Sequence, residues 1–389
     1  DTDDQIDIKI GGADDFQFTA NTFTALSGSD IVHADSGSVR NRPNSKPLII
    51  NGDMAVAQRG TSQTGQTGNH FPVDRFGFQM STFGTWTSSQ STDVPTGKGF
   101  VTSLKLDCTT ADTSLGAGDF GVIHYKFEGQ DAQLFKKGTS SAKKVTLSFW
   151  VKSNKTGNYV IELFDVDNSR QISQLYSISS ADTWEQKIVT FAGDTSGALD
   201  NDNGNSFVIH WALGAGSTYS GGTLNTSWAA NNNANRWVGG PNLADSTDNE
   251  WYLTGVQLEV GDLDANSLPP FQHESHGDSL ARCQRHCQVY GAYANTMLGF
   301  GHTHDQTNVY RWGFPLGVEM RAAPTASLSG TNGFWNGSIG ANAVLGTSYN
   351  KTDLVDIDCT CDTGGLVNDQ GRLTKLYMNT GTLTLDSEL

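Results

Sequence analysis

The chain has 389 residues, of which 36% are apolar, 17% are charged and 44 are glycine. That length exceeds one comfortable core and implies two or three domains. The formal net charge of −16 repels phosphate backbones and strongly anionic membranes, which excludes nucleic acid as a partner. Abundant Gly, Thr, Ser and Asn suit short strands and tight turns, whereas nine Trp, ten Tyr and 19 Phe exclude a disordered chain. Five Cys, an odd number without regular spacing, argue against a disulfide scaffold. No apolar run approaches the roughly eighteen residues that a membrane helix needs, so no membrane insertion is expected. The start carries neither an initiator Met nor a charged-then-apolar signal segment, which is expected of a processed or trimmed terminus.

In chain order, residues 1–47 read as an acidic leader and linker. Ile6, Ile8 and Ile10 alternate with polar residues, as do Phe16 and Phe18, and Phe23 and Ile31 mark two more short strands. Four such strands cannot bury a core alone, so partner chains are the simplest remedy. Pro43 and Pro47 frame a linker and the first boundary.

Residues 48–275 read as one large β domain. Its strands are predicted at 101–106, 122–127, 145–151, 159–164, 187–191, 207–212 and 251–260. VTLSFWV places Val145, Leu147, Phe149 and Val151 on one face, and YVIELFDV is apolar enough to be buried on both. Regular short strands with polar turns imply a jelly-roll-like sandwich. One short helix is predicted from about Asp278 to Tyr290, capped by Ser275 or Asp278 and stopped by Gly291. The last stretch, to residue 389, reads as a smaller β unit with strands near 308–314, 325–328, 339–345, 353–359 and 373–378. The helix and this unit together form the third segment, 276–389.

Two phrases about two hundred residues apart bracket the sandwich. The first is LIINGDMAVAQRGT with FPVDRF; the second is TGVQLEVGD with HGDSLARCQRHCQVYG. In that order they resemble the carbohydrate-binding-like β-sandwich of tail-fibre proteins from tailed bacteriophages. The leader IKIGGADDFQFTANTFTALSGS resembles the repeat at the base of marine-phage fibres, and FPLGVEMRAAPTAS resembles the family's phrase after the helix. The chain departs from the family at His286 and Cys287, where aromatic residues are common. The resemblance implies a virion location, in a tail or appendage. It implies a homotrimer, joined to other virion proteins through the leader, that attaches to host cell-surface glycan through many weak contacts. A decoration or adaptor protein without glycan binding and a tailspike-type depolymerase are the alternatives.

Trp228 and Trp237, in LNTSWAANNNANRWVGG, are candidates for a sugar platform, because aromatic rings stack on the C–H faces of sugars. Asn235 beside them can bond hydroxyls. The competing reading makes Trp228 a core plug. Trp86, Trp237 and Trp335 lie in loop-like sequence and are expected to be more exposed, which adds Trp86 and Trp335 to the carbohydrate-binding candidates. Asp200 and Asp202, in LDNDNGNS, offer oxygens to Ca²⁺, though the terminal glutamate of a twelve-residue calcium loop is absent and a solvated turn competes. His302 and His304, in GHTHD, have workable spacing for a transition metal, against a plain polar turn. Axial HxH iron sites of phage tail tips resemble this pair loosely. Asn51-Gly52 signals a turn, and Arg59, Asp74 and Arg75 are expected to be buried and paired with each other in a structural role. No G-x-S-x-G, P-loop, H-E-x-x-H or dinucleotide fingerprint is present, so no enzyme is expected. A facing pair of carboxylates, as glycoside hydrolysis requires, cannot be found from sequence.

Overall fold

The computed structural model describes residues 6–10, 13–19, 22–25, 46–291, 296–303, 309–330, 332–335, 340–348, 350–361, 374–378 and 381–389. Side chains are described within 46–291, 311–330, 350–358 and 381–389. The chain divides into two compact units. One comprises Asp1–Lys46 with Asp264–Gln272, the other Pro47–Leu263 with His273–Leu389.

The leader contributes an antiparallel three-stranded sheet: β1 (Ile6–Ile10), β2 (Ala13–Thr19) and β3 (Thr22–Ala25). These are the alternating segments expected there; the fourth, at Ile31, lies outside the described residues.

The second unit is built on a jelly-roll-like sandwich. Its strands are β4 (Ser62–Gln66), β5 (His70–Val73), β6 (Phe76–Ser81), β7 (Thr85–Ser91), β8 (Ser103–Thr110), β9 (Phe120–Glu128), β10 (Val145–Ser153), β11 (Gly157–Asp165), β12 (Arg170–Ile178), β13 (Glu185–Phe191), β14 (Asn205–Ala215), β15 (Ala229–Ala230) and β16 (Glu250–Val260). One helical turn, α1 (Ser217–Ser220), follows β14. A six-stranded sheet runs β13-β10-β16-β8-β7-β4, and a seven-stranded sheet runs β15-β12-β11-β14-β9-β6-β5. From β8 to β11 the chain alternates between the two sheets, the crossing pattern of a jelly roll.

The core lies between these sheets, and period-two alternation fills it. Val145, Leu147, Phe149 and Val151 of β10 face Tyr159, Ile161 and Leu163 of β11 and Phe207, Ile209, Trp211 and Leu213 of β14, all buried in one cluster. β11 is indeed buried on both faces. Its other face carries Val160, which joins Val122, Ala212 and Trp237 in a second cluster outside the sheet.

α2 (His276–Gln284) is capped by Ser275, whose hydroxyl accepts from the Asp278 amide. It is shorter than predicted. Residues Cys287–Tyr290 form β17, paired with β25 (Thr382–Asp386), which in turn pairs with β20 (Thr325–Ser329). The correction has a physical reason. Cys287 and Val289 alternate with polar neighbours, and an available strand partner outweighs the weak helical period. The rest of this region comprises β18 (Thr296–Thr303), β19 (Val309–Pro315), β21 (Asn332–Trp335), β22 (Gly340–Ser348), β23 (Leu354–Cys361) and β24 (Thr374–Met378). Their pairings close in a ring, β18-β19-β23-β22-β21-β24.

The first bracketing phrase is architectural. Asn51, at φ 60°, is buried. Its side chain donates to the Val56 and Asp74 carbonyls at 2.9 and 2.8 Å and accepts from the Val56 amide at 2.8 Å. Asp74 accepts from the Gln58 amide and side chain, while Arg59 stands 3.8 Å from it. The carboxylates to which the two arginines donate are more than three hundred residues away. Arg59 donates to Asp386 at 2.9 Å, and the buried Arg75 donates to Glu388 and to the Lys126 carbonyl.

Candidate functional site

Most of the aromatic residues singled out from sequence are structural. Trp86 is fully buried on the core face of β7, stacked on Phe83 at 5.6 Å and donating from Nε1 to the Phe83 carbonyl at 2.5 Å. This corrects the expectation of exposure. The segment TWTSSQS looks like a loop because its core face is Trp86 and Ser88, with no apolar alternation to read. Trp228 is half-buried, packs at 6.2 Å from Phe207, and donates to the Ala192 carbonyl at 2.7 Å. Trp335 lies in β21, with its side chain outside the described residues.

Trp237 is also corrected from exposed to buried. The loop after β14 folds back over the outer face of the seven-stranded sheet. There Trp237 packs against Tyr219 and Phe120 at tilted angles and against His210 edge to face. Its indole donates to Glu162 Oε2 at 3.0 Å. Glu162, fully buried on that face, receives Arg236 Nε at 2.9 Å and NH2 at 2.7 Å, and His210 Nδ1 lies 2.9 Å away. Burial alone would raise its pKa, but Arg236 and His210 outweigh that and hold it at about 2. Burial lowers the pKa of His210. Asn235 is a loop brace: its side chain accepts from the Thr223 amide at 3.0 Å and donates to Asn225 at 3.3 Å.

Among the described residues, Asp200 and Asp202 are not gathered into a metal cage. The Asp202 side chain accepts from the Gly204 amide at 2.8 Å, closing a turn, and its carbonyl accepts from the Gln130 amide at 2.9 Å. The Asp200 amide donates to Asp167 at 2.9 Å. Neighbouring Asn203 exchanges hydrogen bonds with Arg321, so this loop is pinned by protein partners. His302 lies in β18 with its side chain outside the described residues, as His304 is altogether. Among the described residues, no group of three or more His, Cys, Asp or Glu side chains could hold a metal ion.

The open aromatic surface lies elsewhere, on the outer face of the six-stranded sheet. Trp150 falls between Phe149 and Val151 in β10, so the pleat that buries those two turns it outward. Gly255, at φ 61°, sits where the β10–β16 register shifts. A Cβ there would come within 2.5 Å of Phe100 and 3.0 Å of Trp150, so only glycine lets both rings lie against the strand. Trp184, just before β13, stands 6.0 Å from Tyr252, edge to face. Trp150 and Trp184 are both half-exposed, whereas Tyr252 is buried.

Charges surround these rings. Lys152 lies 4.1 Å over Tyr252 and pairs with Asp93, which also accepts from the Trp184 indole at 2.9 Å. Burial would raise the pKa of Asp93, yet the Lys152 and Trp184 hydrogen bonds lower it. Glu250 accepts from the Tyr252 hydroxyl at 2.6 Å and from Lys105, and Asp107 faces it in register. The exposed Lys98 sits 5.5 Å over Trp150. The result is an aromatic strip bordered by ionised acceptors and donors, a surface that can stack on a sugar and bond its hydroxyls. The sequence signal for it was the outward phase of Trp150 within VTLSFWV.

No family model matches this chain, and no curated protein matches it. Among solved structures, it is similar to the enzymatically active domain of tailspike protein 4 from bacteriophage CBA120. Identity there is 13% and the TM-score 0.26, over 55% of this chain but only 21% of the tailspike's length. It is similar to the CBM22-1 xylan-binding domain from Paenibacillus barcinonensis at 8% identity and a TM-score of 0.26, over 56% of this chain and 97% of that one. A family 11 carbohydrate-binding module from Clostridium thermocellum, solved with a mixed-linked tetrasaccharide, is similar at 15% identity and a TM-score of 0.24, over 52% and 96%.

Proposed function

We propose that this protein binds glycans through the outer face of the six-stranded sheet, as a fibre or appendage protein of a tailed bacteriophage. The observation that carries the reading is the pair of half-exposed rings Trp150 and Trp184, set around the buried Tyr252 and flanked by Asp93, Lys152, Glu250 and Lys105. It supplies ring faces together with a ready set of hydrogen-bonding partners. Lys98 on its exposed Gly-rich loop can leave the Trp150 face at small cost, because an exposed cation–π contact is worth about 0.5–1 kcal/mol. The phage assignment rests on the bracketing phrases and the leader, and with it come the homotrimer, the leader's attachment to other virion proteins and the virion location.

The mechanism is multivalent attachment without catalysis. Single-site sugar contacts are weak, and three chains on each of several fibres sum them into firm adhesion. Binding at the strip uses no metal. The test is binding of the purified oligomer to a glycan array and to host lipopolysaccharide, with the oligomer's mass taken on the same preparation. Saturable binding that is lost in Trp184→Ala supports the reading. A folded oligomer that binds no glycan and no host cells supports the decoration or adaptor role instead, and released sugar fragments would indicate a depolymerase.

A further inference from the structure

Core-facing positions of β11 run Tyr159, Ile161, Leu163 and then Asp165, the one acid on that face. Asp165 is fully buried, and opposite it stands Lys137, 7% exposed. The Lys137 ammonium contacts Asp165 Oδ2, lies 3.0 Å from Asp194 Oδ2, and sits 5.1 Å over the Trp228 ring. Asp194 is 5% exposed and is held by Arg170 through bonds of 2.6 and 3.0 Å. Phe207 pairs with Asp165 in register and contacts Trp228 and Phe135. A lysine, an aspartate and a second carboxylate therefore share a nearly dry pocket at one end of the apolar core.

We propose that Lys137 and Asp165 join autocatalytically in an isopeptide bond. Asp194 takes a proton from the ammonium, which frees the Nζ lone pair to attack Asp165 Cγ. The Asn168 amide donates to Asp165 Oδ1 at 3.0 Å, in place to stabilise the oxyanion as it forms, while the Asn168 side chain spans both oxygens, Oδ1 at 3.2 Å and Oδ2 at 3.0 Å. Oδ2 then takes up the protons shed by nitrogen, one of them by way of Asp194, and leaves as water. An ammonium and a carboxylate become an amide and one water, with no oxidant or co-reactant and no net change in charge. The remaining amide N–H keeps the Ser196 or Gly197 carbonyl that the ammonium already uses at 2.9 Å. Arg170 and Asp194 stay behind as a balanced pair. The driving logic is electrostatic: a buried ion pair carries a desolvation penalty that a buried, hydrogen-bonded amide does not.

The experiment is intact-mass spectrometry of the full chain, denatured after folding, with proteolytic mapping. A mass about 18 Da, one water, below that of the sequence is expected, with a branched peptide joining the segments around Lys137 and Asp165. Lys137→Arg and Asp194→Asn are each expected to restore the full sequence mass. Folded wild-type protein at its sequence mass would overturn the proposal whether or not the variants fold, as would a water loss mapped to any other pair.

Discussion

Replacing Glu162 by Gln should uncouple the loop over the seven-stranded sheet from the sandwich. Glu162 holds Arg236 through two hydrogen bonds and also receives Trp237 and contacts His210. Its pKa falls from 4.5 to about 2 on folding. That displacement corresponds to about 3 kcal/mol. Breaking a buried pair by truncating one partner costs about 3–5 kcal/mol, so the two routes agree. The sign follows from the depressed folded pKa. The stabilisation is fully present above the unfolded value of 4.5 and disappears as pH falls towards about 2. Urea unfolding of wild type and Glu162→Gln, followed by Trp fluorescence across that range, measures it. The gap should be about 3 kcal/mol at neutral pH and close to zero near the folded pKa. A gap that stays constant with pH, or one below about 1 kcal/mol at neutral pH, would refute the assignment of Glu162 as an ionised keystone.

Three further outcomes are expected. Asn51→Ala removes three buried hydrogen bonds at a positive-φ position and should cost about 3 kcal/mol in the same unfolding assay. Glu388→Gln strands the buried Arg75 and should cost at least about 3 kcal/mol, with earlier proteolysis of residues 381–389 than in wild type. Adding EDTA to the glycan-binding assay should leave the affinity unchanged, because the strip draws its polar groups from protein side chains alone; a loss reversed by Ca²⁺ would count against this.

Much of the sandwich was legible because its core strands carry strong alternation. VTLSFWV, the segment around Ile123 and the segment around Ile209 each show the pattern, and each is a strand. β7 and β12 were not predicted: β7 has no apolar period to read, and in β12 Gln174 interrupts the core face of Ile172, Tyr176 and Ile178. The helix end was misread because Cys287 continues the helical face of Leu280 and Cys283 while also starting a period-two pair with Val289, and a distant strand decides between them. The candidate site was harder still. Trp237 looked like a surface residue because the acid that holds it, Glu162, lies 75 residues earlier in a strand that reads as uniformly apolar. Arg59 and Arg75 were recognised as buried charges, yet Asp386 and Glu388 reach them from the other end of the chain. Trp150 was visible as the out-of-phase ring of its strand, but Trp184 and Tyr252 join it only once β10, β13 and β16 are side by side.

The most direct test of the central claim is glycan binding by the purified protein, comparing wild type, Trp184→Ala and Trp237→Ala at matched folded concentration. Loss of one stacking ring is worth about 1–2 kcal/mol, so Trp184→Ala should weaken each site about five- to thirty-fold. Trp237→Ala, which acts through the covered face, should lower stability but leave the affinity of the folded protein unchanged. Wild-type affinity in Trp184→Ala, or a selective loss of affinity in Trp237→Ala, would contradict the placement of the site on the six-stranded sheet.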